Sequence, residues 1–278
     1  MTNMVFETSD WEALLERLGG SKKGVQAIKD LILNLATSGA FETHVEGDVS
    51  ADILLTNSID AKLNSKMIGK NPVEYTIKSD EVISNLPNNW TSFRLGSITT
   101  YNKRPRVDPM QVPKNTWQLD LEDIEKRSSK ILRRMTAGEK GSSSTKTSFL
   151  KGDVLYGKLR PNLDKVVVAD SSGICSSEIV PISVHGETRP EWIRILLKRP
   201  YFLKAVSKLT HGVSLPRLKT KDALNTIHPL PPVVEQDCII EIVDRLFDLC
   251  DNLSDALDQR EKNTEQFIQQ IPEIKWRD

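Results

Sequence analysis

The carboxyl-terminal stretch from Glu235 to Ile271 constrains this chain more than any other part of it. Ile239, Val243, Leu246, Cys250, Leu253 and Leu257 recur at alternating spacings of four and three. The register continues through Arg260, Thr264, Phe267 and Ile271, with polar residues at two seam positions. This alternation keeps apolar side chains on one side of a helix, as in a coiled coil. Such a helix would be roughly 55 Å long at 1.5 Å per residue. That exceeds the width of a small domain, so the helix must lie along something. Val25, Ile28, Ile32 and Leu35 form a similar seam between the Gly19-Gly20 break and a C-capping Gly39, but it is too short to cover the long helix alone. The unmatched length predicts a second copy of the chain or another protein. A long helix buried on its own domain is the alternative.

Formal net charge is zero, yet it is unevenly spread. Residues 1–87 carry a net −5, residues 88–232 a net +12, and residues 233–278 a net −7. A basic middle between acidic flanks favours a polyanionic partner, with a solvated basic surface as the bland alternative. No run of about 18 apolar residues is present, so no membrane span is expected. The acidic start, Met1 to Asp10, does not read as a secretory signal. Cys175, Cys238 and Cys250 form no CxxC pair. Sparse, odd cysteines suit a reducing cytoplasm and argue against a disulfide framework or a zinc site.

The same three segments form the expected domains: helices and a linker over 1–87, a basic globule over 88–232, and the long helix over 233–278. In the first, Trp11, Leu14, Leu15 and Leu18 make one helical stripe, and a further short helix is expected near Ala51 to Ala61. Polar sequence from Asn64 to Lys78, with Pro72 inside it, reads as an extended linker. In the globule, strands are expected at Ser92–Ile98, Val154–Tyr156, Lys165–Ala169 and Ile179–Val184. Helices are expected from Pro190 and from Pro200, each with proline at its first position. Leu132 to Lys146 is rich in serine, glycine and cations and is expected to stay mobile until it meets a partner. The fold class is therefore α/β (α+β), one mixed-sheet globule with long coiled-coil-type helices.

Four basic loops are the candidate DNA contacts. Lys103, Arg104 and Arg106 flank a stiffening Pro105. Arg133, Arg134, Lys140 and Lys146 lie in the serine-rich stretch, and Ser214, Arg217 and Lys219 lie in a later loop. Lys158, Arg160 and Asn162 sit in the turn of Gly152-Asp153-Val154-Leu155-Tyr156-Gly157-Lys158-Leu159-Arg160-Pro161-Asn162. Arg and Asn can pair with guanine and adenine edges and Lys can hold a phosphate; most such residues touch phosphates. Each is also readable as an ordinary solvated residue. Trp90 reads as a buried boundary anchor; Trp117 is open between anchor and stacking residue. Glu178 is expected to support an arginine.

Catalytic patterns are faint. Cys175 with His185 lacks an oxyanion-hole motif, and Asp153, Glu178 and Lys158 form at most a weak nuclease-like trio. No GxSxG, HExxH or glycine-rich phosphate loop occurs, and the histidines show no ligand spacing.

The order of motifs carries a resemblance. Leu86-Pro87-Asn88-Asn89-Trp90 with Arg94-Leu95-Gly96 opens the globule. Gly152 to Pro161 and Gly173-Ile174-Cys175-Ser176-Ser177-Glu178 lie within it, and Pro229-Leu230-Pro231-Pro232-Val233-Val234-Glu235-Gln236 closes it. Ala36-Thr37-Ser38-Gly39 through Ala51-Asp52-Ile53-Leu54-Leu55 is similar to a central conserved region. Together these resemble the DNA-specificity subunit of type I restriction–modification systems, in a half-length form with one target recognition domain. The resemblance implies a non-catalytic subunit that binds double-stranded DNA and methyltransferase subunits, with restriction or translocase subunits joining the full complex. Ile239, Val243, Leu246, Cys250, Leu253, Leu257, Phe267 and Ile271 would then form the dimer or partner helix. It implies no cofactor in this chain, S-adenosylmethionine belonging to the partner methyltransferase. Because no internal repeat is found, two copies are expected to pair through their helices and read an inverted repeat. A half-length competitor for methyltransferase, or a small metal-dependent nuclease, are the alternative readings.

Overall fold

The computed structural model describes residues 8–41, 43, 47–65, 67, 75–209 and 218–270. Three helices come first: α1 (Thr8–Leu18), α2 (Lys22–Ser38) and α3 (Ala51–Asn64). Ser21 caps α2 by accepting the Gly24 N–H at 3.1 Å. Gly39 ends α2 in the left-handed region at φ 75°. A Cβ there would lie 2.3 Å from Pro87 Cγ, so glycine serves both the turn and the contact with the globule's entry segment.

The globule runs through β1 (Thr91–Arg94), α4 (Leu95–Ile98), β2 (Thr99–Tyr101), β3 (Arg106–Val107), β4 (Trp117–Leu119), β5 (Met135–Thr136) and α5 (Ala137–Lys140). It continues through β6 (Lys146–Phe149), β7 (Val154–Gly157), β8 (Val166–Val168), β9 (Gly173–Cys175) and β10 (Ile179–Val184). Helices α6 (Pro190–Lys198), α7 (Pro200–Leu209) and α8 (Thr220–Leu224) precede β11 (Ile227–Leu230), and α9 (Val233–Gln270) follows. The strands form sheets β2-β10-β7-β8 and β3-β6-β9-β4-β5 and a two-stranded pair β1-β11. All named pairings are antiparallel except β4 with β9, so the fold is a mixed α/β globule.

Strand periodicity lets one sheet serve two cores. Val154 and Tyr156 of β7 face a large core with Val180, Ile182, Trp192 and Leu196. Leu155, between them, enters a smaller core with Trp117, Leu119, Phe149, Val167 and Ile179. Successive side chains on a strand point to opposite faces, so the four-stranded sheet is buried on both.

The expected strand over Ser92–Ile98 is divided: β1 ends at Arg94 and Leu95–Ile98 turns into α4. The Leu95 N–H donates to Thr226 O at 2.9 Å and the Thr99 hydroxyl to Leu95 O at 2.6 Å, which ends the extended run. The Leu132–Lys146 stretch, expected to be mobile, is ordered as β5, α5 and the start of β6. A capping box of Thr136 and Glu139 starts α5, and internal ion pairs hold its cations, as described below.

The long helix lies along α2. Ile239, Val243, Cys250 and Leu257 are buried and Leu246 and Leu253 half-buried against a core that includes Val25, Ile28, Ile32 and Leu33, with Trp11, Leu14 and Leu18 of α1. Lys29 pairs with Asp251 and Lys22 with Asp258, so the two helices run antiparallel. The cover stops there: every residue from Gln259 to Gln269 is exposed, including Phe267 at 68% and Ile268 at 61%. Ile271 lies outside the described residues. No helix among the described residues is long and apolar enough to cross a membrane.

Helix α3 docks on the globule through Lys62, whose ammonium donates to Gly96 O and faces the Tyr75 ring at 5.5 Å. Burial pushes Lys62 down to about 8. The folded state therefore releases this proton earlier than the unfolded chain, whose lysine titrates near 10.5. Stability should rise with pH between about 8 and 10.5. Urea midpoints measured across that range should show the rise in the wild type, and Lys62→Met should lack this component of it.

Candidate nucleic-acid interface

Strand β7 ends at Gly157 and delivers Lys158, Arg160 and Asn162 into a tight turn. Arg160 takes a left-handed φ of 50°, Pro161–Leu163 form a single 3-10 turn, and Asp164 is again left-handed at φ 51°. The Leu163 N–H donates to Arg160 O at 2.9 Å and the Asp164 N–H to Pro161 O at 3.0 Å. Pro161 fixes its own backbone angle, so the turn holds its shape before any ligand arrives. Arg160 and Asn162 are exposed at its tip. Lys158 is half-buried, its N–H donating to Glu178 O at 3.0 Å, and its carbonyl accepts the Leu218 N–H at 3.4 Å. That contact brings Leu218 and exposed Lys219 beside the turn. Ser214 and Arg217 lie outside the described residues.

A neighbour that the pattern of the sequence did not single out joins this group. Arg127 is exposed, left-handed at φ 66°, and its N–H donates to Leu163 O at 2.9 Å. The only local signal was a cluster of cations in Lys126, Arg127 and Lys130, in a segment with no apolar periodicity.

A second group lies on the five-stranded sheet. Arg106 is exposed on β3, opposite Thr147 of β6, and Lys103 is exposed just before it. Arg134 stacks over Trp117 with its guanidinium carbon 4.1 Å from the ring centroid, and grips Asp170 with two bonds of 2.8 Å. Asp170 holds Arg134's proton more firmly, and Arg134 lowers the Asp170 carboxyl. Trp117 is itself buried, meeting Phe149 edge-on at 5.1 Å, so it is a core residue roofed by an arginine. A shallow depression of about 770 Å³ runs beside this stack, lined in part by Asn115, Thr136, Ser148 and Ser172.

Several predicted contacts turn out to have internal partners. Arg104 forks onto buried Asp153 with two bonds of 2.7 Å, and Asp153 also accepts from Ser183 at 2.9 Å and the Leu150 N–H at 2.9 Å. Lys140 bonds Asp120 at 2.8 Å and also Asp123, and Lys146 reaches Asp120 at 3.3 Å. Both lysine side chains are almost covered, at 8% and 6%. Arg133 stays half-exposed while lying 3.3 Å from the same Asp123. These cations neutralise carboxylates that the fold has taken out of water, so Arg104, Lys140 and Lys146 are held inside rather than displayed.

The faint catalytic patterns are also taken apart. Burial pushes the Cys175 thiol up to about 12, and it donates to Ile179 O at 3.9 Å. His185 instead bonds the Thr100 hydroxyl at 2.7 Å, and burial lowers its pKa. Asp153 is committed to Arg104. Among the described residues no three His, Cys, Asp or Glu side chains are grouped as a metal site would need.

The fold and its surface define a class: a mixed α/β domain mounted on an antiparallel helix pair, presenting cationic turns stiffened from within. No family model matches this chain. It is similar to the type I restriction enzyme EcoDI specificity subunit of Escherichia coli, 30% identical over 171 residues, covering 62% of this chain and 38% of that protein. It is also similar to the EcoEI specificity subunit of Escherichia coli, 24% identical over 245 residues, covering 83% of this chain and 40% of that one. The chain spans about two-fifths of the length of these curated relatives. Among solved structures, an HsdS subunit from Thermoanaerobacter tengcongensis overlays with a TM-score of 0.46 at 17% identity, covering 94% of this chain and 55% of the other. The type I restriction–modification S subunit from M. genitalium overlays at 0.47 and 11% identity, covering 93% and 56%. In sequence, the chain resembles type I restriction enzyme specificity subunits over part of their length.

Truncating Arg104 should act on the fold itself. Arg104→Ala leaves the Asp153 carboxylate buried without its cation and should lower stability by about 3 kcal/mol. Arg106→Ala, on the exposed strand, should stay within about 0.5 kcal/mol of wild type. Urea denaturation of the two variants distinguishes them.

Proposed function

We propose that this chain is a sequence-specific DNA-recognition subunit of a type I restriction–modification complex. The observation that carries the proposal is the rigid turn displaying Arg160 and Asn162 from the basic middle segment, in a chain 30% identical over 171 residues to a specificity subunit. Residues 88–232 form the target recognition domain in this reading, and residues 1–87 and 233–278 its helical mount. Lys158, Arg160, Asn162 and Lys219 contact DNA together with Lys103, Arg106, Arg133 and Arg134, and Arg127 joins them. Arg160 and Asn162 are the base readers, since a fork and an amide can each make paired bonds to purine edges.

The chain carries no chemistry or cofactor of its own in this reading. It positions a methyltransferase subunit, which binds S-adenosylmethionine and modifies adenine, and in the full complex a translocating restriction subunit. All act in the cytoplasm. The stretch of α9 beyond Leu257, with Phe267 exposed, pairs with a second copy and rebuilds a two-domain reader. Two copies related by a twofold axis read an inverted repeat.

Methylation-site mapping with the cognate methyltransferase tests this directly. The expected result is one inverted-repeat target; a strictly asymmetric target argues against the paired copies. Methyltransferase binding without any DNA binding would select the competitor reading instead. Affinity for duplex DNA should fall by about a thousandfold between about 50 and 200 mM salt, as counterion release requires for several phosphate contacts. A flat salt response by filter binding would overturn the DNA-recognition proposal.

A further inference from the structure

Among the described residues, six non-glycine residues have positive φ, and four of them meet at one point: Arg127, Ser129, Arg160 and Asp164. The first pair belongs to the turn joining Glu125 to Lys130 and the second to the turn after β7. Left-handed backbone is unfavourable for residues with a Cβ, and it persists where surrounding bonds over-determine it. Here bonds from three of the four, Arg127, Ser129 and Asp164, converge on one ammonium. Lys198, the last residue of α6, is 3% exposed. It donates to Arg127 O at 2.8 Å, Ser129 Oγ at 2.8 Å and Asp164 Oδ2 at 2.9 Å. The Ser129 hydroxyl in turn donates to Asp164 O at 2.9 Å and accepts the Val166 N–H at 3.1 Å. The two turns are thus laced together from below, with Arg160 and Asn162 on top.

Stability alone is a poor reason for such a cluster. Desolvating an ammonium and a carboxylate offsets most of their attraction, and an apolar side chain would fill the same space. What a buried, fully bonded cation supplies is one geometry, because its donors must point at defined oxygens. Helix α6 is itself anchored, with Ile193, Leu196 and Leu197 buried in the main core. A further link leads outward: Lys130, at the end of the first turn, pairs at 3.1 Å with Asp251 of α9, which also pairs with Lys29 of α2. The clamp therefore joins the display turn to the helix pair.

We propose that Lys198 is a positioning residue for base reading: through Ser129 and Asp164 it holds Arg160 and Asn162 in a single pose. The proposal rests on the DNA-recognition function above and adds residues that touch no DNA. Its signature is lost discrimination with retained backbone binding.

The test uses the full chain with Lys198→Met, Ser129→Ala and Asp164→Asn, all measured well below each variant's own Tm. Ser129→Ala and Asp164→Asn carry the test if Lys198→Met does not fold. Hydrogen exchange is read at the amides of Arg127, Leu163 and Asp164, which bond within the two turns. These should exchange about tenfold faster in the variants, with the β7 and β10 amides unchanged. Each protein then selects from a randomised DNA duplex pool. Wild type should enrich one motif; the variants should lose about tenfold in preference at one or two positions, while the salt slope of binding stays the same. Unchanged exchange in the turns overturns the clamp. Faster exchange with an equally sharp motif overturns the positioning role. If wild type enriches no motif, base reading itself fails, and the positioning role with it.

Discussion

The architecture depends on one buried carboxylate. Glu235, at the start of α9 and 3% exposed, accepts the Trp90 indole N–H at 2.8 Å and also bonds the Asn89 amide. Trp90 stands edge-on to Trp192 at 5.8 Å, and the Trp192 indole donates to Pro229 O at 3.1 Å. Gln236, next in line, accepts the Arg189 N–H at 2.9 Å and donates to Pro231 O at 2.9 Å. Entry and exit of the globule are therefore fastened to each other, to α6 and to the first turn of the long helix. The β1–β11 pair closes directly beside them. This knot adds to the other links between the globule and its helical mount, the shared core of α2, α6 and α9 and the Lys130–Asp251 pair.

The same logic, a buried charge satisfied from several elements, recurs where loops must hold a shape. Asp153 anchors Arg104, Ser183 and a backbone N–H; Asp120 and Asp123 gather Lys140, Lys146 and Arg133; Asp164 and Lys198 lace the display turn. The middle segment's positive charge thus divides into two populations. Some cations neutralise internal carboxylates, and the remainder, Arg160, Arg106 and Arg127 among them, face outward on supports that the first population stiffens. Rigid display lowers the entropy lost when a side chain is fixed on a ligand.

Much of this was legible in the residue order. The α9 seam, the α2 seam with its Gly39 cap, the two proline-started helices and the strands near Val154–Tyr156, Lys165–Ala169 and Ile179–Val184 all follow from local periodicity and end signals, because those signals act over a few residues. The serine-rich stretch misled because its order comes from distant partners: Arg134 finds Trp117, and Lys140 finds Asp120 and Asp123. Composition registers which charges are present and not which carboxylates are buried beside them. The strand expected over Ser92–Ile98 failed for a related reason. Thr226, more than a hundred positions away, takes the Leu95 N–H and turns the chain into α4.

By itself the sequence determined the mixed α/β class, the basic middle and a helix too long for its own short partner. It also placed Arg160 and Asn162 in a turn after a strand. Only the tertiary structure decided which cations are displayed, that Arg127 stands beside that turn, and that Lys198 holds it from beneath. The physical reason is the range of the forces. Helix and strand periodicity, capping and proline stiffness are written in neighbouring residues, whereas burial of a charge and choice of its partner depend on contacts between segments 30 to 150 positions apart.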